Sequence, residues 1–294
     1  RERYGVTAGW WAAATFCTIP MVMWESGTAY IDVAHGLFAG LGTWLFVQGL
    51  DKAERERAML GGLLLGFALG SKYTGIQTLG IAAIAGFLAW RGSQRKPGLK
   101  DFAFPLILAI LVALPWYIKN IVMTGNPVYP FFYSIFGGKN WDAFASMIYT
   151  EEQKTFGIGA SPLQPASLGI ALFGLALAPG RFTNPQPTLG NGFLFVSLGA
   201  AVMVGLVWLV LQTGRTGNVI EKGSGSSGME RKLALAVGLT LLAWFALSQQ
   251  SRYILAIAPI ACIAFGSAVS NLKLGKVFRG IAVVNGLFAL GVIW

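Results

Sequence analysis

The sequence predicts an all-α protein: a polytopic transmembrane helical bundle of about nine spans with a partly helical extracytoplasmic loop lying on the membrane. Three observations predict it. Charged residues make up 12% of the 294, against about 25% in an ordinary soluble domain. Apolar residues make up 55%, with a mean hydropathy of +0.62, and they gather into runs approaching the roughly 20 residues a helix needs to cross a bilayer. The cations fall in short loops between those runs, which is the positive-inside pattern. No aromatic-interleaved basic patch accompanies them, so the net charge of +10 does not point to nucleic acid.

In chain order the expected spans lie at 7–24, 31–49, 58–71, 74–90, 102–123, 192–212, 233–249, 253–270 and 280–294. The run 166–180 is short for a span and carries glycines and a proline. Laying it on the outer surface puts 16 of the 22 Lys and Arg residues in loops on one side, so it is expected to be interfacial or re-entrant. Three regions follow: N-terminal membrane helices over 1–123, an extracytoplasmic or interfacial segment over 124–191, and C-terminal membrane helices over 192–294. The chain opens at Arg1 and stops at Trp294 inside an apolar run, so it reads as part of a longer protein. Cys17 and Cys262 fall within expected spans, where apolar packing rather than a disulfide is their role.

The remaining cations, Lys72, Lys119, Lys139, Lys154, Arg181 and Arg252, are expected outside, with the acids Glu25, Asp32, Asp142, Glu151 and Glu152. A charge at a membrane helix end is costly unless it finds a partner or water, so function is sought among these residues. In WESGTAYIDVAH (24–35) a short hairpin brings Glu25, Tyr30, Asp32 and His35 to one edge. Asp32 and His35, three apart at a helix start, share a face. Asp32 reads either as a helix cap or as a catalytic or metal-site carboxylate. His35 reads as a hydrogen-bonded core histidine or as a site residue. One His with one Asp and one Glu is a thin ligand set, so neither a divalent metal nor any other cofactor is assigned. LGSKYTG (69–75) joins two short runs, which sinks the hairpin tip and places Lys72 and Tyr73 in a recess. Lys72 there is either a snorkelling side chain or a phosphate-binding cation. LPWYIKNIVMTGNPVYPFFY (114–133) sets Lys119 and Asn120 inside the last turns of an outward helix, among aromatics that could stack on a sugar or lie on lipid. QQSRYILAIAP (249–259) opens an inward helix with Arg252 and Tyr253, and the planar fork of Arg suits a phosphate group.

AYIDVAHGLF, LGFALGSKYTG, LPWYIKN followed by TGNPVYPFFY, GRFTNPQPTLGNGFLF and QSRYILAIAP occur here in an order that resembles the GT-C glycosyltransferases. More closely, the chain is similar to the bacterial multi-pass proteins related to protein O-mannosyltransferases and lipid A aminoarabinose transferases, over nearly its whole length. The resemblance implies inverting transfer of a sugar from a polyprenyl-phosphate donor to a glycan, lipid or protein acceptor. That transfer takes place on the extracytoplasmic face of the bacterial cytoplasmic membrane, among membrane lipids. It also implies that the principal catalytic Asp lies in a first external loop upstream of this chain. Asp32, with Glu25 beside it, then matches a second acidic position. Lys72 and Arg252-Tyr253 match places that hold the carrier phosphate, and Tyr30, His35, Tyr73, Lys119 and Asn120 are further substrate contacts. Two other readings remain. One is a lipid or solute transporter or flippase, which should bury charges near mid-membrane. The other is a non-catalytic membrane scaffold.

Overall fold

The computed structural model describes residues 5–159, 164–183 and 226–271. Among these residues every regular element is a helix. The apolar stretch near the N-terminus forms two helices, α1 (Gly5–Cys17) and α2 (Pro20–Ser26). It breaks because Thr18 turns its hydroxyl onto the Ala14 carbonyl at 2.7 Å. Pro20 then opens the next helix at a position that needs no N–H. Four longer helices follow: α3 (Asp32–Lys52), α4 (Arg55–Ser71), α5 (Thr74–Gly92) and α6 (Leu99–Thr124). The stretch after α6 contributes α7 (Tyr133–Phe136), α8 (Ala143–Lys154), α9 (Pro165–Leu177) and a 3-10 turn at Pro179–Phe182. Helix α10 (Ser226–Leu247), a second 3-10 turn (Ser251–Ala256) and α11 (Ala258–Asn271) complete the described chain.

Helix α3 is the hub, packed against α4, α5, α11 and the second 3-10 turn, while α4 also packs on α6 and α1 on α11. Phe46, Leu50, Leu65, Leu233 and Ile254 are fully buried where these helices meet. The bundle has two chemically different ends. At one, Lys232 Nζ pairs with Asp51 at 2.5 Å, Ser93 Oγ donates to the Asp51 carbonyl at 2.8 Å, and Arg95 reaches the Lys52 carbonyl at 3.2 Å. The basic loops near 52, 95 and 232 therefore gather together, as the charge pattern predicts. Residues 25–32, 72–73 and 252–253 meet at the other end.

The expectation of about nine spans is not met. Among the described residues two helices are long and apolar enough to cross a membrane, Asp32–Lys52 and Leu99–Thr124. The other runs fail for identifiable reasons. The first is cut into pieces of 13 and 7 residues. Helix α4 has 17 residues; at about 1.5 Å per residue it reaches roughly 26 Å, short of a hydrocarbon core of about 30 Å, and the run 253–270 opens within the 3-10 turn Ser251–Ala256 before α11 begins. Helix α5 is diluted by Gly, Thr and Gln, and α10 spends its first turns on Ser, Glu, Arg and Lys. The run 166–180 forms the 13-residue α9, also too short to span. The runs 192–212 and 280–294 lie outside the described residues.

The two long helices differ in surroundings. In α3, 61% of the apolar window is buried, against 17% in α6. Helix α6 turns Ile110, Leu111, Ile118 and Val122 outward. An apolar helix presenting that face needs a non-aqueous neighbour, which associates the chain with a membrane.

Candidate functional site

The site is assembled from three chain turns at one end of the bundle. The first is the link from α2 to α3. Helix α2 stops at Gly27, and Tyr30 packs on Trp24 with ring centroids 5.3 Å apart. Ile31, not Asp32, is the residue that caps α3, and no side-chain cap bond forms. Asp32 therefore does not cap its own helix. Its carboxylate, 2% exposed, turns across to Lys72 and forms an ion pair.

The second is the α4–α5 hairpin. Lys72 leaves α4 in an extended conformation, and Gly75 allows the return. A Cβ at Gly75 would stand 2.5 Å from the Ala68 carbonyl oxygen, so the hairpin closes this tightly only around glycine. The Lys72 ammonium also lies 4.3 Å from the centre of the Tyr253 ring, a cation–π contact. Burial pulls the Lys72 ammonium below its ordinary pKa, against the opposing charge of Asp32.

The third is the turn Ser251–Ala256. It approaches α3 closely because Gly36 lies beneath it; a Cβ there would come within 2.6 Å of the Leu255 carbonyl oxygen. Arg252 is thereby held with its guanidinium 5.6 Å from the Tyr30 ring and 5.4 Å from the Tyr253 ring. Its Nε donates to Gln250 Oε1 at 2.7 Å.

Glu25 completes the cluster. It is 1% exposed, and neither carboxyl oxygen has a hydrogen-bond partner. Burial, followed by the neighbouring negative charge of Asp32, pushes its carboxyl up to about 8, against Lys72 and Arg252, which act in the opposite direction. Two carboxyl groups, two cations and two tyrosines therefore stand together in one cluster, called the recess below. In it Asp32 is paired with the Lys72 ammonium, while burial favours the protonated form of Glu25. Among the described residues no group of three or more His, Cys, Asp or Glu could hold a metal ion; the two carboxyls are the donors this recess offers.

The other expected site residues are distributed around this centre. His35 is buried with Nδ1 3.1 Å from both the Ala68 carbonyl and Ser71 Oγ, and Nε2 3.1 Å from Thr74 Oγ1. Facing a carbonyl, Nδ1 carries the proton, and Nε2 accepts from Thr74. Both ring nitrogens are thus committed to tying α3 to the hairpin, the core-histidine reading. The Tyr73 hydroxyl accepts from Asn120 Nδ2 at 2.7 Å, and its ring meets those of Tyr117 and Phe131 edge-on. Tyr73 and Asn120 thus form a support between hairpin and α6. Lys119 stands apart from the cluster, its ammonium 4.4 Å from the Trp116 ring centre. It lines an open groove of about 540 Å³ between α3, α4 and α6, with Phe38, Phe67 and Ser71 among its walls.

Sequence reading missed Tyr149, Gln153 and Gln250. Helix α8 starts where Asp142 accepts from the Ala145 N–H at 2.7 Å. From it Tyr149 stands beside Tyr253, and burial pushes its hydroxyl up to about 12. Gln153 Oε1 accepts from Ser248 Oγ at 2.9 Å and from Gln250 Nε2 at 2.8 Å. The signal was available: Tyr149 and Gln153 are four apart and share one helical face, while Phe144 and Ile148 take the exposed one.

The fold and the charge cluster together define a class: an all-helical, membrane-associated chain with a buried, mixed-charge cluster at one end. The chain belongs to the family described as Domain of unknown function (DUF8201), whose model matches residues 7–258. That match covers the recess. Comparison with curated proteins and with solved structures yields no match.

Proposed function

We propose that this chain is the membrane part of a glycosyltransferase that takes a sugar from a polyprenyl-phosphate carrier on the extracytoplasmic face of a bacterial cytoplasmic membrane. The observation that carries the reading is the convergence of Lys72 and Arg252 on Asp32 and Glu25, at the end of the bundle opposite the basic loops. Two cations backed by tyrosine rings form an electrostatic cradle for a phosphate group. As phosphate arrives, Lys72 exchanges Asp32 for a phosphate oxygen. The freed Asp32 carboxylate takes the proton of an acceptor hydroxyl or amine, whose lone pair then bonds the sugar's anomeric carbon. The anomeric C–O bond to phosphate breaks and its electron pair leaves on the phosphate oxygen, where Lys72 and Arg252 stabilise the new charge. A transport role would favour ionisable groups in the bilayer middle. Among the described residues, the buried acids Glu25, Asp32 and Glu230 instead lie in or next to the two ends.

Full-length protein in detergent or nanodiscs, supplied with a polyprenyl-phosphate sugar and acceptor, should release the carrier phosphate. Lys72→Ala and Arg252→Ala should each lower that turnover by about tenfold to a hundredfold, the scale of losing a charge-assisted contact to developing charge. Wild-type turnover in both variants overturns the cradle.

A further inference from the structure

Glu25 takes no part in the steps above, yet it is buried at 1% exposure. Its two oxygens are buried without partners. A carboxylate in that state would lack any hydrogen bond to replace water, whereas a neutral carboxylic acid is far cheaper to bury. The charged groups facing it come from three other elements: Asp32 from the start of α3, Lys72 from the α4–α5 hairpin and Arg252 from the Ser251–Ala256 turn. Tyr30 lies on the connecting chain and Tyr253 beside Arg252. Helix α1, which also packs on α2, carries no charged residue, and Glu25 is the only one on α2 itself.

The charge count of the recess therefore turns on one proton. With Glu25 neutral, Asp32, Lys72 and Arg252 sum to one net positive charge, the complement of a singly charged phosphodiester. With Glu25 ionised the recess is neutral overall and places an unpartnered negative oxygen beside the incoming anion. We propose that Glu25 is the charge-setting residue of this site: as a neutral acid it admits a singly charged phosphodiester, and its ionisation closes the site to that ligand. Binding of the diester and protonation of Glu25 are then the same event seen from two sides, so above the Glu25 titration each bound anion takes up a proton from solvent. This inference rests on the phosphate-cradle reading of Lys72 and Arg252 and names the group that controls it.

The probe is dimethyl phosphate, a singly charged diester that does not titrate in the range used, followed by phosphorus NMR on full-length protein in nanodiscs. If only the protonated site binds, with titration near 8, wild-type affinity should fall about tenfold between pH ~7 and pH ~9. Glu25→Gln should match wild type within about twofold at pH ~7 and stay flat to pH ~9. Lys72, whose ammonium is also pushed down by burial, is the competing source of an alkaline loss. Lys72→Arg, which does not titrate, should retain the fall if Glu25 causes it. An equal fall in Glu25→Gln, or its disappearance in Lys72→Arg, overturns the assignment to Glu25. Binding with no pH dependence in wild type overturns this inference and leaves the cradle standing. No binding at any pH overturns both.

Discussion

Lys72 extends from the end of α4 to Asp32 at the start of α3, and each makes the burial of the other possible. Burying such a charge alone is costly, and removing one partner of a buried pair costs more than the pair contributes. Asp32→Asn should therefore destabilise the protein by about 3 kcal/mol. That is the lower end for a buried pair, because Lys72 keeps 20% of its side chain exposed. Adding Lys72→Met to Asp32→Asn should recover most of the loss, since no charge is then left behind. Chemical denaturation in detergent measures both; a double variant no better than the single would argue that the pair is not the source of the cost. At this scale residue type was legible and pairing was not. The sequence singles out Asp32, Lys72 and Arg252 as charges in apolar surroundings. Whether Asp32 caps its own helix or reaches across 40 residues depends on where α4 ends relative to α3.

The elements divide into those that build the recess and one that braces it. Helix α8 stands outside the bundle, yet Tyr149 meets Tyr253, and Gln153 links through Gln250 to Arg252. Gln153→Ala removes the acceptor shared by Ser248 and Gln250, leaving two buried donors without it. The expected cost is about 1–2 kcal/mol of stability, with a several-fold weaker affinity for dimethyl phosphate because Arg252 loses its anchored neighbour. Gln153→Glu keeps the acceptor and should restore that affinity, which a merely structural lesion elsewhere would not do. The sequence reading treated residues 124–191 as apolar packing on a surface. It missed the bracing role because glutamine and tyrosine carry no charge signal. Only the four-residue spacing marked them, and spacing does not say what a helical face meets.

For the whole molecule, the decisive contrast is between α3, enclosed by its neighbours, and α6, whose apolar side chains face outward. If that face meets lipid, Ile110→Lys places a charge near the middle of a 26-residue helix. It should cost about 2.5–3.5 kcal/mol of insertion. The expected outcome is a loss of the protein fraction that resists alkaline extraction from membranes. Unchanged extraction would show that the face is covered by protein or water instead.

The amino-acid sequence by itself determined the helical class, the association of the apolar helices with a membrane and the two-ended segregation of charge. These follow from composition and from which residue types alternate along the chain. The tertiary structure decided how many of the apolar runs are long enough to span, because helix breaks at Thr18–Pro20 and early polar turns are matters of local geometry rather than of summed hydropathy. It also decided the recess itself. Glu25, Asp32, Lys72 and Arg252 come from three separate turns of the chain, and their chemistry depends on distances that Gly36 and Gly75 set by close approach.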